Sequence, residues 1–345
     1  MLTASGHLAL KVSMSEQNLY HPVTIGNLRV AGNLFLAPLA GYTDVAFRSL
    51  CIQGGADLTF SEMVSVEGLS RESEKTRELL IRSPLESQYA IQLFLYSTDS
   101  LPAALEQLTE FKPSLIDINC GCPVPKVTKT GAGSAMMHNP DLVAQAVRII
   151  KEETGLPVSV KLRIGWDQQS RNYLAFSKAV LDGGADMLTL HARTRSQGYA
   201  PYAEWQTLTT LKQWSVDQGY DIPIFGSGDL FEAQDAQRML SETGIDGVMF
   251  ARGAIGNPSI FSQAKAILAG NEPIYPTRSE IREAIVTHLD LMIEYFGEEA
   301  ACKAMRKHAA AYLRGISKSS AIKQALVQAT RRDQYLEALR GLVDL

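Results

Sequence analysis

Cys122 stands between Gly121 and Pro123, two residues that break regular structure and leave a thiol on a loop. A free thiol near its ordinary pKa of ~8.5 is protonated at neutral pH and can donate that proton. Other polar residues interrupt apolar, strand-like runs: Gln92 in IQLF, Lys161 and Arg163 in KLRIG, His191 and Arg193 in HARTR. Along Val158–Arg163, Val158, Val160 and Leu162 face one way and Lys161 and Arg163 the other. A lysine on the inward side of such a strand needs an anionic or carbonyl partner. The N1–C2 edge of a flavin, negative when reduced, meets that need, and the amide of Gln92 can complement its imide edge. His191 can bond the same ring or a phosphate. Gly226-Ser227-Gly228-Asp229 and Ala251-Arg252-Gly253 combine small residues, backbone N–H groups and a guanidinium, which suits a phosphate. With a hydride from reduced flavin and a proton from Cys122, the set could saturate a C=C bond conjugated to a carbonyl. Each residue alone has a plainer reading: a structural cysteine, polar side chains filling a barrel, ordinary glycine turns, a core histidine. Cys120-Gly121-Cys122 lacks the second ligand pair of a zinc site, and no metal is expected.

These residues need elements that bring them together. Eight runs have strand character: Asn33–Leu39, Asp57–Val64, Tyr89–Leu95, Leu115–Asn119, Pro157–Arg163, Met187–His191, Pro223–Gly226 and Gly247–Ala251. Helical stretches alternate with them, among them Pro140–Thr154, Arg171–Asp182, Phe231–Glu242 and Asn257–Ala269. That alternation predicts a parallel (β/α)8 TIM barrel, with an open doubly wound sheet as the rival. In such a barrel the site lies at the C-terminal strand ends, where nearly every polar or glycine-rich residue named above falls. Val23–Val30, with Gly26-Asn27 at its centre, predicts a hairpin ahead of the barrel. Residues 1–21 carry no period and predict a loose arm, so the barrel takes 22–270.

Beyond Asn271–Pro276, which has two prolines, only helical periods remain, and 277–345 predicts a small all-helical domain. Its first helix is expected to be capped by Ser279. From Ala300 to Arg332 there are eight Lys or Arg and no acid, in a chain of net charge −4. Lys303, Arg306, Lys307 and Arg314 fall at spacings that can share one face, which suggests phosphate contact, a solvated helix face being the ordinary alternative. The chain has 345 residues, 46% hydrophobic and 20% charged, with no run long and apolar enough for a membrane span and no signal peptide. A cytoplasmic setting is expected, with the four cysteines as free thiols.

In order and spacing, APLAGYTD (37–44), IQLF (91–94), DINCGCPVPKV (117–127), KTGAGSAMM (129–137), KLRIG (161–165), HARTR (191–195), GSGD (226–229) and ARGAIGNP (251–258) resemble the tRNA-dihydrouridine synthase family. The likeness is strongest to its bacterial B type. It runs from about Asn27 to Arg314 and includes RKHAAAYLRGIS (306–317). It implies FMN lined by Pro38, Leu39, Ala40 and Gln92, with Lys161 at N1 and His191 nearby. The ribityl chain and phosphate would lie on Ser227, Gly228, Asp229, Ala251, Arg252 and Gly253. It further implies that Cys122 gives a proton to uracil C5 opposite a hydride to C6, that NADPH (or NADH) is the reductant, and that tRNA is the substrate, with no obligate protein partner evident. Two departures stand out: Ser227 where the family usually has Asn, and Cys120 where a larger apolar residue is common. The rivals are a flavin barrel acting on a free pyrimidine, like dihydroorotate dehydrogenase, and an RNA-binding barrel without catalysis.

Overall fold

A computed structural model describes residues 18–343. Two short strands, β1 (Val23–Ile25) and β2 (Leu28–Val30), form the antiparallel hairpin expected around Gly26-Asn27. Eight parallel strands follow: β3 (Leu34–Leu36), β4 (Leu58–Ser65), β5 (Ala90–Phe94), β6 (Leu115–Cys120), β7 (Val158–Arg163), β8 (Met187–His191), β9 (Ile224–Ser227) and β10 (Gly247–Phe250). They pair in chain order, and β10 pairs back onto β3 to close a TIM barrel. Each strand falls within or against one of the eight runs read from the sequence, and the open sheet is ruled out.

The helices around this barrel are α1 (Val45–Gln53), α2 (Val66–Ser70), α3 (Glu74–Glu78), α4 (Leu101–Leu108), α5 (Pro125–Thr128), α6 (Pro140–Thr154), α7 (Tyr173–Asp182), α8 (Gln206–Asp217), α9 (Ala233–Thr243) and α10 (Ile260–Leu268). Strand alternation divides the core in two. Leu36, Ile116, Ile118, Val158, Val160, Leu162, Leu188, Leu190 and Val248 point outward and pack against the helices. Phe35, Phe60, Leu115, Met187, Phe225 and Met249 fill the interior, with Phe35 stacked on Phe225 at 4.3 Å. Val23, Ile25 and Val30 join that inner cluster, so the hairpin plugs the lower end of the barrel. With the floor apolar and sealed, polar inward residues are confined to the upper layers, the end where such barrels work.

The expected arm, residues 1–21, lies outside the described residues up to position 17. Its last residues are tied down: Tyr20 Oη donates to Asp57 Oδ1 at 2.9 Å, and Asn33 Nδ2 donates to the Leu19 carbonyl.

Four further helices form the C-terminal unit: α11 (Arg278–Phe296), α12 (Glu298–Tyr312), α13 (Ser320–Gln328) and α14 (Arg332–Val343). Residues 344–345 lie outside the described residues. The cap of α11 is Thr277, not Ser279: its hydroxyl accepts from Glu280 N–H while the Glu280 carboxylate accepts from Thr277 N–H. Thr-x-x-Glu closes that reciprocal box, which Ser279 with Arg282 cannot. Leu289, Met292, Met305, Tyr312, Leu326, Tyr335 and Leu339 build a separate core, joined to the barrel through Ala46 of α1. At the joint, Gly256 meets the end of α12 so closely that a Cβ would lie 2.4 Å from the Ala311 carbonyl carbon. His288 and His308 are buried there, 4.5 Å apart and packed on Phe47. Among the described residues no helix is long and apolar enough to cross a membrane.

Candidate active site

A cavity of about 410 Å³ opens at the C-terminal ends of the strands. Pro38, Leu39 and Ala40 after β3, Gln92 on β5, Cys122 after β6, Lys161 on β7 and His191 on β8 line it. Ser227, Gly228 and Asp229 after β9, with Ala251 and Arg252 after β10, complete the expected set. Gly253 is the exception. It turns away and packs under Leu230, where a Cβ would lie 2.3 Å from the carbonyl oxygen.

Lys161 is the inward residue above Ser159, and its ammonium has no hydrogen-bond or ion-pair partner among the described residues. Burial, reinforced by Arg163, lowers it to about 8. A cation held without a partner at the floor of a cavity is suited to an electron-rich ligand edge. His191 is buried, and desolvation with Arg163, Lys161 and Arg193 nearby holds it well below its ordinary value, so the ring is neutral. Arg193 Nη1 lies 3.3 Å from His191 Nε2 and can only donate, which leaves the ring proton on Nδ1.

Cys122 is half-buried, and burial pushes its thiol up, so it stays protonated at neutral pH. Its loop is well fixed. Gly121 and Cys122 N–H both donate to Asn119 Oδ1, at 3.1 and 2.9 Å, and Arg163 Nε donates to the Gly121 carbonyl at 2.7 Å. The same guanidinium donates to the Thr194 and Gly198 carbonyls, tying the β6 and β8 loops together. Cys120, two residues earlier, is fully buried in the outer core and cannot reach the cavity.

Gln92 does not present a free amide. Its Nε2 donates to Asp117 Oδ2 at 2.6 Å, and its Oε1 accepts from Asn119 Nδ2 at 2.7 Å, which leaves one N–H and one lone pair for a ligand. Asp229, expected to hold a ligand, is itself held: Arg193 Nη2 contacts both carboxylate oxygens at 2.6 Å, and Ala203 N–H donates to Oδ2. Its work in this structure is to anchor the loop after β8. Arg193, a rim cation in the sequence, is thereby buried and closed to outside partners.

Arg252 keeps only a long contact to Asp229, 3.5 Å, and lies between the rings of Tyr199 and Phe231 at 4.4 and 4.8 Å. The backbone N–H groups of Gly228 and Arg252 have no backbone acceptor among the described residues. Gly228 has a φ of +114°, and a Cβ there would strike the His191 ring at 2.9 Å. A side-chain-free turn with free N–H groups beside an available guanidinium is a cradle for an anion.

The four expected RNA-binding residues differ in their partners. Lys303 and Arg314 are exposed, without ion pairs among the described residues. Arg306 Nη2 donates to the Ala329 carbonyl at 3.2 Å, inside the helical unit. Lys307 leans over the ring of Tyr42 at 4.8 Å, at the edge of the cavity. Arg331 and Arg332, part of the acid-free run, pair with Asp333 and Asp290.

Sequence reasoning assigned no role to Asp117, Asn119, Tyr199 and Phe231. The first two had a signal, because Asp117 and Asn119 alternate with Ile116 and Ile118 as Lys161 does with Val160 and Leu162. The aromatic pair sits on loops, and only folding brings it to Arg252.

The family model for dihydrouridine synthases matches residues 35–344. A probable tRNA-dihydrouridine synthase of Treponema pallidum is 41% identical over 312 residues, covering 88% of this chain and 90% of that protein. The tRNA-dihydrouridine synthase B of Pasteurella multocida is 34% identical over 322 residues, covering 93% and 96%. Among solved structures, morphinone reductase superposes with a TM-score of 0.52 at 14% identity, covering 78% of this chain and 94% of that one, a likeness of fold.

Proposed function

The chain belongs to the dihydrouridine synthase family, and on that premise we propose that it reduces the C5=C6 bond of uridine in tRNA to 5,6-dihydrouridine. The cofactor is FMN in the barrel cavity, and NADPH (or NADH) is the reductant. One observation carries this reading: a protonated, half-buried thiol and an unpaired ammonium, Cys122 and Lys161, face the same cavity. The residues present fit FMN. Lys161 would meet the N1–C2 edge, the remaining N–H and lone pair of Gln92 would meet the imide, and Gly228 and Arg252 would hold a single phosphate. The volume lies within the usual range for cofactor sites of about 300–1,000 Å³. When bound and reduced, the flavin supplies a hydride for uracil C6.

The protein's own part is positioning and proton transfer. Pro38, Leu39 and Ala40 form one side of the cavity. Cys122 holds its proton until C5 becomes basic, then releases it from Sγ to C5. Lys161 and Arg163, both close enough to favour the charged thiol, stabilise the thiolate that remains. Solvent then restores the proton. His191, neutral with its proton on Nδ1, remains a hydrogen-bond donor throughout.

The helical unit, residues 277–345, is the part that engages tRNA phosphates, chiefly through Lys303 and Arg314. A uridine inside folded RNA must be extruded to reach a barrel floor, and a phosphate grip beside the cavity helps hold it there.

The test is direct. Protein denatured by mild heat should release a yellow compound that chromatographs as FMN. Release of FAD, or of no flavin from protein purified with FMN supplied, would sink the assignment.

A further inference from the structure

Asp117 lies on β6 inside the barrel, is fully buried, does not line the cavity and has no part in the chemistry above. We propose that Asp117 is a positioning residue that fixes the direction of the Gln92 amide on the cavity floor and, through Asn119, the loop carrying Cys122. The proposal rests on the cavity being the flavin site, since Gln92 faces one reactant and Cys122 delivers the other.

The orientation follows from hydrogen-bond roles alone. Gly121 and Cys122 present N–H groups, which only donate, so the atom of Asn119 they meet must be its oxygen. Asn119 therefore turns its nitrogen to Gln92, 2.7 Å away, and Gln92 must answer with its oxygen. That leaves the Gln92 nitrogen facing Asp117 Oδ2 at 2.6 Å, and a carboxylate oxygen accepts. Asp117 Oδ1 meets Ser159 Oγ at 2.5 Å, and a hydroxyl can donate or accept. Burial raises this carboxyl to about 7, against hydrogen bonds from Ser159 and Gln92. A proton taken up on Oδ1 only reverses the Ser159 bond, leaving Oδ2 an acceptor, so the amides keep their direction in either state.

An asparagine preserves the chain, its oxygen accepting from Gln92 and its nitrogen donating to Ser159. A leucine breaks it. Gln92 then loses its acceptor, its amide is free to turn, and the Asn119 nitrogen can face an N–H instead of a carbonyl.

The experiment compares Asp117→Asn and Asp117→Leu in the full chain. One readout needs no turnover: the rate at which iodoacetamide alkylates Cys122, followed by peptide mass spectrometry. Cys51, Cys120 and Cys302 are buried and contribute little. The asparagine variant should match the native rate within about twofold. The leucine variant should differ by about fivefold or more, the worth of one net hydrogen bond. With flavin bound, the leucine variant should lose RNA reduction more than NADPH oxidation, because the thiol moves while the reductant's access does not. A folded leucine variant with native alkylation overturns the proposal, and so does equal loss in both variants. Should the leucine variant fail to fold, Gln92→Leu cuts the same chain one link higher, and native alkylation there overturns the proposal as well. Absence of flavin from the native protein would refute the cofactor reading and leave the alkylation result standing by itself.

Discussion

The barrel mouth and the helical unit both carry cations, but they hold them in opposite ways. Around the cavity Arg163 and Arg193 are buried, each making several short bonds to carbonyls or to Asp229. Their geometry is set before any ligand arrives, while Lys161 and Arg252 are left with spare capacity. In the helical unit Lys303 and Arg314 project from the surface on flexible stems. The first arrangement suits chemistry, where an error of an ångström is costly. The second suits phosphate contacts, which position a polyanion without reading its sequence.

The sharpest way to break this comparison is at the thiol. Cys122→Ala should leave flavin content and NADPH oxidation nearly unchanged while RNA reduction falls about 10²–10⁴-fold, the usual worth of a positioned acid. Loss of flavin instead would make Cys122 structural. Cys120→Ala, in the outer core, is the control and should be mild.

A smaller effect is expected from the exposed cations. Lys303→Ala with Arg314→Ala should flatten the dependence of log affinity for tRNA on log salt by roughly 0.7–0.9 per lost contact. Adding Arg306→Ala and Lys307→Ala should change that slope little further, because one is bonded inside the unit and the other covers Tyr42. An unchanged slope in the double variant would move the RNA to the barrel rim, where Lys126, Lys129 and Arg195 remain.

The smallest effect tests the seam between the two regions. His288 is buried beside Phe47, and desolvation lowers it to about 3, with His308 lowered as well. The unfolded chain protonates these rings near 6.5, so their contribution is complete above that value and is lost as pH falls towards 3. The melting temperature should drop on going from pH 7 to 5, by the equivalent of about 2 kcal/mol for each ring. His288→Phe should flatten that drop, and an equally steep fall in the variant would place the acid sensitivity elsewhere.

Much of the fold could be read directly because barrel strands repeat a simple code. Val158, Val160 and Leu162 point to the helices while Lys161 and Arg163 point inward, and the same period recurs in the other strands except β4, which slips at a bulge between Phe60 and Met63. The cavity residues followed, since such barrels use one end. Partners were harder to read. Alternation says that Asp117 and Asn119 face inward but not that both meet Gln92 of the neighbouring strand. Likewise the run from Ala300 to Arg332 is free of acids along the chain but not in space, where α11 delivers Asp290 to Arg332. Ser279 does not cap α11 because Thr277 is an equally good candidate and Glu280, three residues after it, closes the reciprocal box.

Gly256 gives the joint a mechanical character. Backbone meets backbone there, with no side chain between to change rotamer and absorb a displacement. Its neighbour Ile255 lines the cavity. A hinge lined with long side chains would act as a cushion, whereas this one acts as a rigid coupling. The end of α12 thus sits one residue away from the cavity wall.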